Sequence, residues 1–352
     1  MVKKIIKFAL FSIAGIIGAI IILVLILTAF GDGHFVVSLP VEHKDFYKVP
    51  QGASYPPALH TQGNQLVNEK REIVRLRGVM VPDPYRLGEE GRFKKELIAD
   101  IRATGANVIR VPAHPEFWQR DEDYLWRYLD PLVSWAGDAG MYVIIDLHFI
   151  GNIATGEGDQ MPDLKIPAAE FADQFWSQVA PYFSNAPHVL FEIYNEPSDI
   201  TIADWVDSSI HLVKLIRSLG VTQTLIVGGV EYSKDLSWVL ETPLEYDNLA
   251  YASHIYPSHS ESLWGHWFGE VAALYPVLIT EWGFLDAATV EGPDYLAGSR
   301  QSYGDPLLAY LDELGIGWAA CWYDDEWLPP MFAPGRESMT EYGQWVLDKL
   351  KP

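Results

Sequence analysis

Cysteine is almost absent from this sequence: one residue, Cys321, in 352. A single thiol excludes an internal disulfide framework, whatever compartment the chain occupies. Basic charge is also scarce, with 25 Lys+Arg against 47 Asp+Glu and a formal net charge of −22. Such a balance argues against a nucleic-acid binder, because contacts to phosphate need a cationic surface. No Ser/Thr/Pro-rich linker, acidic tail or solenoid-length repeat divides the chain, so one large domain is the simplest organisation. No His-x-His or His-Glu-x-x-His spacing announces a metal centre. What is abundant is tryptophan. There are 13, and the first of them is Trp118.

One long hydrophobic run does occur. Residues 8 to 30 are uncharged and almost wholly apolar, and would span about 34 Å as a helix, enough to cross a bilayer. Lys3, Lys4 and Lys7 precede it and Asp32 and Glu42 follow. The positive-inside rule then places the N-terminus in the cytoplasm and the rest outside, as a single-pass protein of the cell membrane. A cleavable signal peptide and a secreted chain are the alternative, but the apolar stretch is longer than a usual signal core. Residues 1–31 are thus expected to be a membrane anchor (or signal peptide). Residues 32–58, with Pro40, Pro50, Pro56 and Pro57, are expected to be a spacer. Residues 59–352 form the main domain, opening with a small hairpin between Leu59 and Val74.

From residue 76 on, apolar β-branched runs alternate with helix-period segments. The runs are Leu76–Val81, Asn107–Pro112, Tyr142–His148, His188–Tyr194, Thr224–Val230, Leu249–Tyr256, Val277–Glu281 and Gly317–Tyr323. Gly105, Gly140, Gly220 and Gly315 stop four of the intervening helices, glycine being the residue that enters the left-handed cap conformation without steric cost. Eight such units predict an α/β fold, a (β/α)8 TIM barrel with a parallel sheet. A doubly wound open sheet is the runner-up, but the turn after the first strand lacks a GxGxxG fingerprint.

Barrels of this kind gather their chemistry at the C-terminal strand ends, and the runs here turn polar there. The second ends Arg110-Val-Pro-Ala-His114, the third Asp146-Leu-His148, the fourth Asn195-Glu196-Pro197, the sixth His254-Ile-Tyr256, the seventh Glu281-Trp282-Gly283 and the eighth Trp322-Tyr-Asp-Asp325. Burying such groups is costly unless they are paired. Glu196 and Glu281 are expected to face each other across the barrel mouth. Two opposed carboxylates are what cleavage of a glycosidic bond requires, one to give and take a proton and one to attack or activate water. A salt bridge or capping contact would account for either Glu alone. Glu192, four residues before Glu196, should lie deeper and act as a buried structural partner.

These strand ends resemble glycoside hydrolase family 5. Asn195-Glu196-Pro197 after Phe191-Glu-Ile-Tyr194 is similar to the family's acid/base strand, and Ile279-Thr-Glu281-Trp-Gly283 to its nucleophile strand. Ile73-Val-Arg-Leu-Arg-Gly78, Asn107-Val-Ile-Arg110, Asp146-Leu-His148 and His254-Ile-Tyr256 match further motifs in the same order. The resemblance spans about residues 59 to 350. It implies that Glu196 is the acid/base, with a raised pKa, and Glu281 the nucleophile. It also implies that Arg110 sits against Glu281 as a countercharge, that Tyr256 donates to it, and that Asn195 binds the sugar 2-hydroxyl. His148 and His254 would line the site, and no cofactor or metal is implied. The expected activity is a retaining endo-acting hydrolysis of β-1,4-glucan, less surely of β-mannan, with a neutral polysaccharide as substrate. The two carboxyl groups should then lie about 5–5.5 Å apart, against about 6.5–9.5 Å for an inverting enzyme.

Aromatic faces stack on pyranose rings, so Trp322 is expected to be a sugar platform, with Trp318 packed beneath it. Trp118, Trp264, Trp267, Trp282 and Trp327 fall in loops beyond strand ends and are candidate rim aromatics. Trp126, Trp135, Trp176, Trp205, Trp238 and Trp345 fall on helices and are assigned to the core. A transglycosylase or exo-glycosidase at the same site stays open on sequence alone. So does a membrane-tethered carbohydrate-binding protein without catalysis, although both carboxylates are present.

Overall fold

The computed structural model describes residues 41–158, 164–286 and 292–351. Eight parallel strands close a barrel in sequence order: β1 (Arg77–Met80), β2 (Val108–Ala113), β3 (Tyr142–Leu147), β4 (Val189–Glu192), β5 (Leu225–Gly228), β6 (Leu249–Ile255), β7 (Val277–Trp282) and β8 (Gly317–Ala320). β8 pairs with β1 to close it. Each of the eight predicted runs overlaps one barrel strand, and closure excludes the open doubly wound sheet.

Alternation along each strand sorts the side chains into two cores, because successive residues point to opposite faces. Val143, Ile145 and Leu147 on β3 join the larger cluster between barrel and helices, whereas Tyr142 and Ile144 face the barrel interior with Val108, Leu190, Ile226, Ala252 and Leu278. The outer layer is completed by helices such as Ala168–Tyr182, Ile202–Ser218 and Asp305–Leu314. Gly105, Gly140, Gly220 and Gly315 all have positive φ; at Gly315 the left-handed residue returns its N–H to the last turn of its helix.

Leu59 and Leu66 belong to the interior cluster. Leu66 lies on, and Leu59 just before, the hairpin His60–Gln62 and Gln65–Val67, an antiparallel pair that packs on the N-terminal end of the barrel. The stretch expected to be a spacer is otherwise in its described part. Tyr47 is buried, its backbone N–H donates to the Tyr182 carbonyl, Lys44 pairs with Asp130 at 2.6 Å, and Tyr142 donates its hydroxyl to Pro57 O. Residues 42–58 are therefore part of the domain's packing. The apolar run at residues 8–30 lies outside the described residues. Among the described residues, no helix is long and apolar enough to cross a membrane.

Candidate active site

Above the apolar interior layer the same inward positions become charged. Arg110 on β2 is fully buried and is the hub: Nε donates to Glu192 Oε2 at 2.7 Å, Nη1 to Glu281 Oε2 at 3.0 Å, and Nη2 to Asn195 Oδ1 at 2.7 Å. Its Nη2 also lies 3.1 Å from Asp146 Oδ2. One cation thus ties the ends of β3, β4 and β7 to β2. Burial opposes its charge, but Asp146, Glu192 and Glu281 outweigh that and raise its pKa.

A second chain of bonds runs the other way. The Thr280 hydroxyl donates to Glu192 Oε1 at 2.8 Å, so it must accept from His254 Nε2, 3.1 Å away. His254 Nδ1 in turn lies 2.8 Å from Glu196 Oε1. Both ring nitrogens therefore act as donors when Glu196 is ionised. Burial disfavours the charged ring, yet Glu281, Glu192 and Glu196 raise its pKa to about 9. Burial would also raise Glu192, but Arg110 and His254 bring it to about 2. Four residues along, Glu196 goes the opposite way. Burial raises it above the ordinary carboxyl value; His254 opposes this and Glu281 adds to it.

A β-bulge explains how Glu281 reaches the interior. The β6–β7 register advances from Ser253 opposite Ile279 to His254 opposite Glu281, which leaves Thr280 as the extra residue. Strict alternation from the inward Leu278 would send Glu281 outward. The bulge resets it, so Thr280 and Glu281 both face the network. The Tyr256 hydroxyl donates to Glu281 Oε1. An oxygen of Glu196, a nitrogen of His254 and an oxygen of Glu281 lie within 4.8 Å of one another. That spacing would admit a metal ion, but the residues do not fit one: Arg110 already lies against Glu281 and a doubly donating His254 offers no lone pair.

The two carboxylates open onto a cleft of about 930 Å³. His148 lines it, with Nδ1 2.6 Å from Asp146 Oδ2, and burial, with His114, Arg110 and His254 nearby, pushes its pKa well down. Asn195 is buried, and its Nδ2 has no partner among the described residues. Trp322 lines the cleft, and Trp327 stands edge-on to it at 4.7 Å between ring centroids.

The other candidate rim aromatics do not line the cleft. Trp282 follows the inward Glu281 and so points outward, fully buried against Trp318 and Trp345. Trp318 thereby belongs to the layer between barrel and helices and not beneath Trp322; β8 ends at Ala320, and alternation does not carry through to Trp322. Trp264 is buried and donates to His259 O. Trp118 packs edge-on against Phe175, and Trp267 lies under the Lys234 ammonium at 4.9 Å. Their places around the cleft are taken by His114, Tyr232, His259 and Tyr295. His114 had a signal in the sequence, four residues beyond Arg110 and just past the end of β2. Its Nδ1 and backbone N–H both engage the buried Asp83 carboxylate. Tyr232 and Tyr295 sit in loops whose course no periodicity reveals.

The cellulase model of glycosyl hydrolase family 5 matches residues 67–325. The chain belongs to glycosyl hydrolase family 5. Among family relatives, endoglucanase E-5 of Thermobifida fusca is 26% identical over 308 residues, 82% of this chain and 62% of that protein. Endoglucanase A of Butyrivibrio fibrisolvens is 30% identical over 243 residues, 66% of this chain and 53% of that one. This family 5 chain thus spans between about half and two thirds of those relatives' length. Among solved structures, the β-glucanase SdGluc5_26A of Saccharophagus degradans, in complex with cellotetraose, superposes with a TM-score of 0.82 at 24% identity, covering 90% of this chain and 98% of that one. The T. fusca endoglucanase Cel5A catalytic domain gives a TM-score of 0.70 at 22% identity, covering 84% and 97%. These likenesses show the family's barrel fold.

Proposed function

We propose that this family 5 chain is a retaining, endo-acting β-1,4-glucanase whose exported domain works outside the cell membrane. The observation that carries the reading is the pair Glu196 and Glu281, with oxygens within 4.8 Å across the cleft floor. That approach supports double displacement, in which the two carboxyl groups lie about 5–5.5 Å apart, over inversion, in which they lie about 6.5–9.5 Å apart. The endoglucanase relatives and the cellotetraose held by a structural neighbour support glucan as the substrate.

In this mechanism a Glu281 oxygen attacks the anomeric carbon while the bond from that carbon to the leaving oxygen breaks. Glu196 protonates the leaving oxygen, a task its raised pKa suits. Water then gives a proton to Glu196 and attacks the same carbon, and Glu281 is released. Arg110 and Tyr256 hold the two Glu281 oxygens in place, and His254 steadies Glu196 once it is ionised. Asn195 Nδ2 is a donor for a hydroxyl of the reacting sugar. Trp322 and Trp327 form an aromatic wall of the cleft, and Tyr232 lines it as well.

The export and anchoring rest on the sequence of residues 1–31 alone. The test of the activity is Glu281→Ala assayed for reducing-end release on soluble glucans, mannans and xylans. Turnover should vanish and return with azide, as a glycosyl azide of the opposite anomeric configuration. Near-wild-type turnover by the variant would overturn the nucleophile, and mannan preferred over glucan would move the substrate class. A wild type that binds glycans but releases no reducing ends would mark a binding protein.

A further inference from the structure

The segment after β5 has a backbone unlike any other described stretch of the chain. Glu231, Tyr232 and Ser233 have φ of 53°, 62° and 56°, three successive non-glycine residues in the left-handed region. Such residues are individually costly and persist only where their surroundings hold them. Here the turn is closed by reciprocal backbone bonds between Val230 and Asp235. It also needs the two glycines before it: a Cβ at Gly228 would sit 2.2 Å from Ser233 Oγ, and one at Gly229 would sit 2.6 Å from Asp235 O.

The outcome of this geometry is a single buried contact. Ser233 is fully buried, and its hydroxyl donates to the backbone carbonyl of Asn195. That carbonyl belongs to the peptide joining Asn195 to Glu196. The other end of the same peptide, the Glu196 N–H, donates to Phe149 O at 3.0 Å. Asn195 N–H donates to Leu147 O at 3.0 Å, so on the β3 side the peptide is held by main-chain bonds. On the β5 side the ladder has already stopped, its final bond running from Ile193 N–H to Ile226 O. The Ser233 hydroxyl takes over where the ladder ends.

We infer that Ser233 is a positioning residue for Glu196: its hydroxyl fixes the plane of the Asn195–Glu196 peptide, and with it the direction in which Glu196 offers its proton. This rests on the glucanase reading above. The left-handed turn exists to place an O–H at that carbonyl while its neighbour Tyr232 is left 40% exposed at the cleft.

The test uses Ser233→Gly in the full chain. Glycine adopts positive φ freely, so the variant loses the hydroxyl without adding backbone strain; Ser233→Ala, which keeps the strain, is the companion. Both are assayed well below their melting temperatures by kcat/KM, which reports the first chemical step, on two substrates. Cellotetraose needs its leaving oxygen protonated. The 2,4-dinitrophenyl β-cellobioside loses a stable anion and does not. Both variants should fall about tenfold on cellotetraose, as small misplacements of a reacting group cost, and stay within about twofold on the aryl substrate. An equal fall on both substrates would assign Ser233 to general packing and overturn the inference, as would no change on either. A wild type that cleaves neither substrate would overturn the glucanase reading itself.

Discussion

The two ends of the barrel are built from the same eight strands and solve opposite problems. At the N-terminal end, Val108, Ile144, Leu190, Ile226 and Leu278 meet Leu59 and Leu66 of the hairpin in an apolar cluster, stabilised by removal of hydrocarbon from water and indifferent to the exact direction of any one group. At the C-terminal end, Arg110, Asp146, Glu192, Glu196, His254 and Glu281 are all buried, and each is tolerated only because its neighbours pair with it. The lesson is that the mouth's order comes from directional bonds that must all be made together, whereas the base tolerates loss piecemeal. Within the mouth, the two glutamates of one segment follow their own neighbours: Glu192 lies against Arg110 and is lowered, while Glu196 lies beyond it and is raised.

The comparison would break first at Arg110. Arg110→Met should remove about 3–5 kcal/mol of stability, because it leaves buried acids uncompensated, and should lower kcat by at least about a hundredfold through loss of a fixed donor to Glu281. Chemical unfolding and reducing-end assays would read both, and an active, stable variant would show that the hub is dispensable. At the other end, Leu66→Ala should cost about 2–5 kcal/mol while leaving kcat/KM of the folded protein unchanged. A change in kcat/KM would mean that the two ends are not independent. The smallest effect concerns the rim. Trp327→Ala should raise KM roughly three- to tenfold, the loss of about 1 kcal/mol of aromatic contact, with kcat little altered, whereas Trp264→Phe should leave KM where it is.

The pH response sharpens the same contrast. His254 is raised to about 9, so its contribution to stability is complete below its ordinary value near 6.5 and is lost as pH rises through about 9. Denaturant midpoints should therefore fall between those values in the wild type, and fall less in His254→Asn. Equal slopes in the two proteins would mean that His254 does not hold its proton in the folded state.

Much of this was legible in the residues. The eight strands are apolar runs of β-branched residues, the helix stops are glycines that do take positive φ, and the polar strand ends mark the mouth. The rim was read less well. Position beyond a strand end says nothing about which way a loop aromatic turns, and so Trp118, Trp264 and Trp267 were expected at a cleft they do not line. Trp282 was decidable in principle, since where alternation is regular the residue that follows an inward Glu281 points outward. The spacer misled for a different reason: prolines and weak periodicity describe a segment without helix or strand, and residues 42–58 are that, yet Tyr47 is buried all the same.

The sequence by itself determined the fold class, the family and the presence of two carboxylates at the barrel mouth, because local patterning and short motifs carry those. Tertiary structure alone decided that Thr280 and Glu281 share one face, through a bulge visible only in the pairing of β6 with β7. It decided equally that Glu192 and Glu196 diverge in acidity, and that Ser233, from a strand away, holds the peptide of Glu196. Each of these depends on which atoms meet across the barrel, and the order of residues along one strand does not specify its partner's register.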